Sequence, residues 1–207
     1  MHKPNLLLDV DGVLLNWLAG FEEFLLAHAP HLHKDFSGLE EAHDLERLLG
    51  LTTSQMDEWV ARFHMHEDFS KLQALPGAPQ AIRILAPWCN MSCITASGSN
   101  LTSKHARHTN LKNIFGDVFE QIICVDRSVD KPEHLSRFEP GYWVEDQPKN
   151  TLMGVTAGHE SFLMDALYNR GFHHAQVRRV VNMLEVAEII LSQLHSKSLL
   201  GAQSWSK

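Results

Sequence analysis

The sequence predicts an α/β protein in which helices cover both faces of a parallel sheet, with a helical segment inserted after the first strand. Three observations lead there. From about residue 91 onward, short apolar runs alternate with helical stretches, the pattern of a parallel sheet. One more apolar run, Asn5 to Val10, stands at the start and ends in the turn signal Asp11-Gly12. Between these two regions lies a long polar stretch of helical character.

In chain order, Asn5–Val10 reads as a buried strand. A helix follows, with Trp17, Phe21, Phe24, Leu25 and His28 on one face, and Pro30 stops it. Ser54 with Asp57 resembles a helix start, after which Met56, Trp59, Val60 and Phe63 fall at helical spacing. Leu75-Pro76-Gly77-Ala78-Pro79 is hinge-like, and a short helix runs from about Gln80 to Ala86. Strands are predicted at Met91–Thr95, Gln121–Val125, Tyr142–Glu145 and Ser161–Met164, with an edge strand at Val177–Val181. Helices are predicted near 99–114, 133–138, 149–157 and 182–195, the last with a stripe of Leu184, Ala187, Leu191 and Leu194. This divides the chain into a core of residues 1–15 and 76–207 and a helical insertion of 16–75.

The 207 residues suffice for one full core with a small insertion. No apolar run reaches the ~18–20 residues that span a bilayer, and no secretory leader is seen at the N-terminus. The expectation is a cytoplasmic protein without a membrane partner. A net charge of −7 speaks against stable nucleic-acid binding, which calls for a basic surface. Cys89, Cys93 and Cys124 are too few for a disulfide framework and read as buried thiols. Of fourteen histidines, His28, His31, His33, His43, His64 and His66 fall in the insertion. His64-Met65-His66-Glu67-Asp68 has the composition of a metal cluster but lacks the i, i+4 histidine pair of a helical zinc site. It reads as a solvated face.

The residues that carry chemistry fall where strands end, which is where ligands gather in such sheets. Asp9 and Asp11, two apart in an extended segment, point to one side. Their mutual repulsion calls for a cation or a shared proton, and Mg²⁺ is the usual hard cation beside phosphate. Thr95, followed by Ala96 and a helix start, forms either a phosphate cradle or an ordinary N-cap. Lys131 would neutralise a phosphate, with Lys104 and Lys112 as competitors. Glu145 and Asp146 end the fourth strand and supply further metal ligands. Asn150 lies near the next helix start, where it would hold a metal-bound water.

Taken in order, Asp9-Val10-Asp11-Gly12-Val13, Thr95, Lys131 and Glu145-Asp146 with Asn150 resemble the four motifs of the haloacid dehalogenase superfamily. The resemblance spans the chain outside the insertion. It implies a Rossmann-like three-layer α/β/α domain with a small helical cap inserted after the first strand. It also implies a Mg²⁺-dependent phosphomonoesterase acting on a small phosphorylated substrate. Asp9 would be the nucleophile that forms an aspartyl-phosphate, and Asp11 the general acid/base. Thr95, Ala96 and Lys131 would bind the phosphoryl group. Asp9, the backbone carbonyl of Asp11, and Asp146 would hold the metal, supported by Glu145 and Asn150. An acid at position 11 points to phosphatases or phosphomutases, because members acting on carbon–halogen bonds lack it.

Arg107, Asn110-Leu111 and Phe115–Phe119 are similar to a segment of many such phosphatases. Asp165 with Tyr168-Asn169 looks like the 5′(3′)-deoxyribonucleotidase branch, so a nucleoside monophosphate is one expected substrate. The insertion's aromatics, Trp17, Phe21, Phe24, Trp59, Phe63 and Phe69, either stack on a base or form the insertion's own core. Alternatives are a sugar phosphomutase and a catalytically silent protein that binds a phosphorylated ligand or a partner. A signalling receiver domain uses the same residue types, but its second acid precedes the hydroxyl and the lysine.

Overall fold

The computed structural model describes residues 3–36, 44–126 and 131–203. His43, noted in the sequence, lies outside the described residues. Six strands form one parallel sheet: β1 (Asn5–Leu8), β2 (Asn90–Thr95), β3 (Gln121–Cys124), β4 (Tyr142–Glu145), β5 (Glu160–Met164) and β6 (Val177–Val180). Their order is β3-β2-β1-β4-β5-β6. The chain builds outward from β1 to β3, then returns to lay β4 on the other side of β1. That reversal opens a crevice between the carboxyl ends of β1 and β4, the usual ligand position in open parallel sheets.

Alternation along the strands divides the core. Leu6 and Leu8 share one face with Met91, Cys93, Tyr142 and Val144, while Leu7 faces the other way with Ile94 and Trp143. Helices α4 (Ala78–Leu85), α5 (Leu101–Phe115) and α8 (Met183–Gln203) help cover the first face, and α6 (Pro132–Leu135) and α7 (Pro148–Thr156) the second. Helix α7 approaches closely because Gly154 has no side chain. A Cβ there would lie 2.2 Å from the Trp143 ring. The Rossmann-like three-layer arrangement is therefore present.

Between β1 and α4 lie α1 (Trp17–His28), α2 (Asp44–Leu49), α3 (Thr53–Met65) and a 3₁₀ turn, Glu67–Lys71. Phe21, Phe24, Phe63 and Phe69 pack together there and are buried. These four rings form the inserted helices' own core, so stacking on a base is not open to them. The chain enters and leaves this region side by side. Leu75 N–H donates to the Leu14 carbonyl and Asn16 N–H to the Gln73 carbonyl, each at 2.9 Å.

Several expectations shift in detail. Strand β1 ends at Leu8, because Val10 turns its carbonyl to the amides of Leu14 and Leu15 and closes a tight turn. Helix α3 is capped by Thr52, not Ser54: Thr52 and Gln55 form a reciprocal capping box. The buried stripe of α8 is Met183, Val186, Ala187 and Ile190, while Leu184 is exposed and Leu191 and Leu194 are half-buried. Isoleucine and valine compete with leucine for that face, and the α4 contact selects it. The three cysteines are free and buried. No helix among the described residues is long and apolar enough to cross a membrane.

Candidate active site

The residues at the ends of β1 and β4 meet in the crevice. Asp9 follows β1, and its N–H donates to the Val144 carbonyl at 2.9 Å, which locks it against β4. Lys131, at the start of α6, is 3 % exposed and sets its Nζ 3.0 Å from Asp9 Oδ1 and 2.9 Å from Glu145 Oε2. The ammonium also lies 5.4 Å from the centroid of the Trp143 ring, which floors it. Of the other candidate lysines, Lys112 is exposed and pairs with Asp117 instead.

Asp9, Glu145 and Asp146 each offer a carboxylate oxygen within 4.8 Å of the others. Burial is the main cause of their raised pKa values, and the neighbouring carboxylates add to it against the pull of Lys131. Asp9 and Glu145 are pushed up to about 7 and Asp146 to about 6. Lys131 is pushed up by the two acids beside it, against the effect of its burial. Three carboxylates share one ammonium, so a divalent cation with oxygen ligands fits the donor set and the charge. Gly12 closes the site from the other side. A Cβ there would lie 2.4 Å from Asp146 Oδ2, and its φ of +77° is one that L residues avoid.

The rest of the cluster orients these groups. Glu145 Oε1 accepts from Gln147 N–H at 3.2 Å and from Asn150 Nδ2 at 3.4 Å. Asn150 thus reaches Glu145 directly. Tyr168 O–H donates to Asp146, whose carboxylate also accepts from Gln147 Nε2 at 3.2 Å. Buried Asn169 donates to the Asp146 carbonyl at 2.7 Å and to the Met164 carbonyl at 2.8 Å. Arg179 of β6 holds Asn169 Oδ1 at 2.6 Å and Asp165 Oδ1 at 2.7 Å.

Asp11 follows a bend at Val10, and its carboxylate pairs with Arg107 of α5. Arg107 Nη2 donates to Oδ1 at 2.7 Å and Oδ2 at 2.6 Å. The Asp11 pKa is raised by burial, partly offset by Arg107, and raised further by nearby Asp9. Arg107 is fully buried. Its Nε and Nη1 find no hydrogen-bond partner among the described residues, and its guanidinium lies 4.2 Å over the Phe69 ring.

Thr95 ends β2 fully buried, and its hydroxyl has no partner among the described residues. It is not an N-cap, for Asn100 caps α5. Half-buried Ala96 follows it. Beside this loop lies a cavity of about 320 Å³ between α3 and the end of β2, lined by Asp57, His64, Ser97, Asn100, Ser103 and Asp126 among others.

Sequence reasoning had not assigned Arg179 or a role for Arg107. The signal for Arg107 lay in α5. Ser103, Ala106, Arg107 and Asn110 share a helical face with Leu111, so polar groups stand where core residues belong.

No protein-family model and no curated protein matches the sequence. Solved structures do match the fold. A haloacid dehalogenase-like hydrolase from Streptococcus pneumoniae superposes with a TM-score of 0.63 at 14% identity, covering 91% of this chain and 98% of that one. YfnB, a candidate hydrolase of the same superfamily from Bacillus subtilis solved with magnesium bound, gives 0.61 at 15%, covering 91% and 99%. The L-2-haloacid dehalogenase of Xanthobacter autotrophicus, with chloropropionic acid covalently bound, gives 0.57 at 11%, covering 91% and 98%. The chain thus shares its overall fold with these solved hydrolases.

Proposed function

We propose that the protein is a Mg²⁺-dependent phosphomonoester hydrolase working through an aspartyl-phosphate on Asp9. The observation that carries this reading is Lys131 Nζ, buried and shared between Asp9 Oδ1 and Glu145 Oε2. Phosphoryl transfer needs a positioned nucleophile and neutralised charge more than any other aid, and both are built here. In this reading Asp9 attacks phosphorus and the ester P–O bond breaks. Asp11 gives its proton to the leaving oxygen, then takes one from the water that attacks the phosphoenzyme. The P–O bond to Asp9 breaks and phosphate leaves. Burial raises the Asp11 pKa, the direction a proton donor needs, against the pull of Arg107.

Lys131, Thr95 Oγ1 and the backbone at Ala96 hold the phosphoryl oxygens. Asp9, the Asp11 carbonyl and Asp146 hold magnesium, which supplies charge neutralisation for the dianionic substrate. Glu145 and Asn150 stand behind it. The inserted helices, residues 16–75, act as a cap, and the leaving group occupies the cavity beside Ser97, whose mixed lining of Val60, Met65, Asn100 and Ser103 suits a small phosphoester. A nucleoside monophosphate is one such ester. The choice at position 11 sets phosphoryl transfer apart from dehalogenation, because a proton donor is needed there.

The test is phosphate release from a panel of nucleoside 5′- and 3′-monophosphates and sugar phosphates, with and without Mg²⁺, beside Asp9→Asn. Turnover that needs both Mg²⁺ and Asp9 supports the reading. Sugar-phosphate isomerisation without phosphate release points to a mutase. Binding without turnover points to a silent phospholigand module. Halide release from haloacids in place of phosphate release overturns the reading.

A further inference from the structure

The inserted helices hold a second convergence of metal-ligand atoms, remote in sequence from the acids of the crevice. His64 and His66 part company at the end of α3. His64 turns inward, is 6 % exposed, and accepts from Trp17 Nε1 at 2.9 Å. The solvated face expected for this segment therefore excludes His64. His66 turns outward and meets His28, brought from the last turn of α1, and Asp68 of the 3₁₀ turn. His28, His66 and Asp68 each offer one ligand atom within 4.8 Å of the others.

Both imidazole nitrogens converge on the same atom. Asp68 Oδ2 is 3.2 Å from His28 Nε2 and 3.0 Å from His66 Nδ1. A tetrahedral Zn²⁺ with bonds of about 2.1 Å spaces neighbouring ligand atoms about 3.4 Å apart, so the ligand atoms need to part by only a few tenths of an ångström to admit it. Lys71 approaches the other oxygen, Oδ1, at 3.4 Å and leaves Oδ2 to the histidines. His66 Nδ1 accepts only a long bond, 3.3 Å, from Asp68 N–H, and its one lone pair would give up that bond to ligate a metal. Phe24 packs against both rings, with centroids 4.8 Å from His28 and 5.4 Å from His66, and fixes their planes.

We propose that His28, His66 and Asp68 bind a borderline divalent transition metal, Zn²⁺ by donor type, with solvent in the fourth position. The site ties the end of α1 to the α3 junction across forty residues of chain, and so stiffens the inserted helices independently of the crevice.

The test is titration of the full chain with Zn²⁺ alone, and with Co²⁺ as an optical reporter, in excess Mg²⁺ to occupy the acidic crevice. Wild type is compared with His28→Ala, His66→Ala and the near-isosteric Asp68→Asn. His173→Ala/His174→Ala controls for adventitious surface histidines. The expected result is one saturable equivalent and a tetrahedral Co²⁺ spectrum, with more than ~10-fold weaker binding in each of the three variants and none in the control. Slowed amide exchange in residues 25–29 and 66–71 on adding Zn²⁺ is expected in wild type, and this readout does not depend on any variant folding. Unsaturable binding, equal affinity in wild type and variants, or a proton-only pairing without metal uptake overturns the proposal.

Discussion

A single nitrogen of Arg107 bonds both carboxylate oxygens of Asp11, at 2.6 and 2.7 Å, while the same guanidinium lies over Phe69 of the inserted segment. One buried side chain thus touches the proposed acid/base and the covering helices together. Asn110, one turn on, adds a bond from Nδ2 to the Leu72 carbonyl at 3.0 Å. The inserted helices and the proposed proton donor are thus tied through α5.

Arg107→Ala leaves Asp11 without its cation and opens a void beside Phe69. The expected cost is about 2–4 kcal/mol of stability, discounted because Asp11 is partly exposed. Turnover falls, and the limb of the pH–rate profile belonging to Asp11 moves to higher pH, because the influence that lowers its pKa is gone. Arg107→Lys restores the charge without the stacking plane, so it recovers part of both. Denaturant unfolding and a pH–rate profile read the two effects separately, and an unmoved profile in Arg107→Ala would sink the assignment.

Magnesium affinity rises with pH. Asp9 and Glu145 are raised to about 7 and Asp146 to about 6, so below these values the folded protein holds protons that a metal must displace. The same shifts fix the sign of metal-free stability. The folded state binds these protons more tightly than the unfolded chain, so stability falls as pH rises from the ordinary carboxylate range through about 7. Added Mg²⁺ removes that fall. Thermal unfolding with and without Mg²⁺ across this window should show the two curves diverging toward higher pH.

Gly12→Ala puts a methyl group 2.4 Å from Asp146 Oδ2 at a backbone angle of +77°. Strain from the angle alone costs about 1–2 kcal/mol. The larger effect falls on metal binding, since Asp146 has to move. Activity is expected to be lost at ordinary Mg²⁺ and to return partly at high Mg²⁺. Wild-type Mg²⁺ dependence in this variant would refute the close packing.

Asn169→Ala strands the Asp146 and Met164 carbonyls and costs Arg179 one of its partners. A buried group left unpaired costs about 1–3 kcal/mol. Since Asn169 and Tyr168 orient Asp146 from behind, Mg²⁺ affinity should weaken ~10–100-fold. Magnesium titration of activity, beside Tyr168→Phe, distinguishes support of the backbone from support of the carboxylate.

Much of this arrangement is legible in the sequence because it is local. A strand that ends in acids, a threonine at the next strand's end and an acidic pair at the fourth are read from alternation and turn signals. What the sequence hides is set by contacts distant along the chain. Arg107 lies ninety-six residues from Asp11, and only folding brings α5 against the turn after β1. His28 and Asp68 are forty residues apart, and their meeting depends on how α1 packs on α3. The shift of the α8 face follows the same logic. Propensity marks a helix, but the partner helix decides which residues it buries.

The paired crossings at Leu14–Asn16 and Gln73–Leu75 carry one more implication. Two antiparallel backbones in register stand only about 5 Å apart. A tight reverse turn of a few residues would bridge them as well as sixty do. The strand path therefore does not depend on the length threaded between those points, but any replacement of the inserted helices has to keep their hold on Arg107 and Asn110.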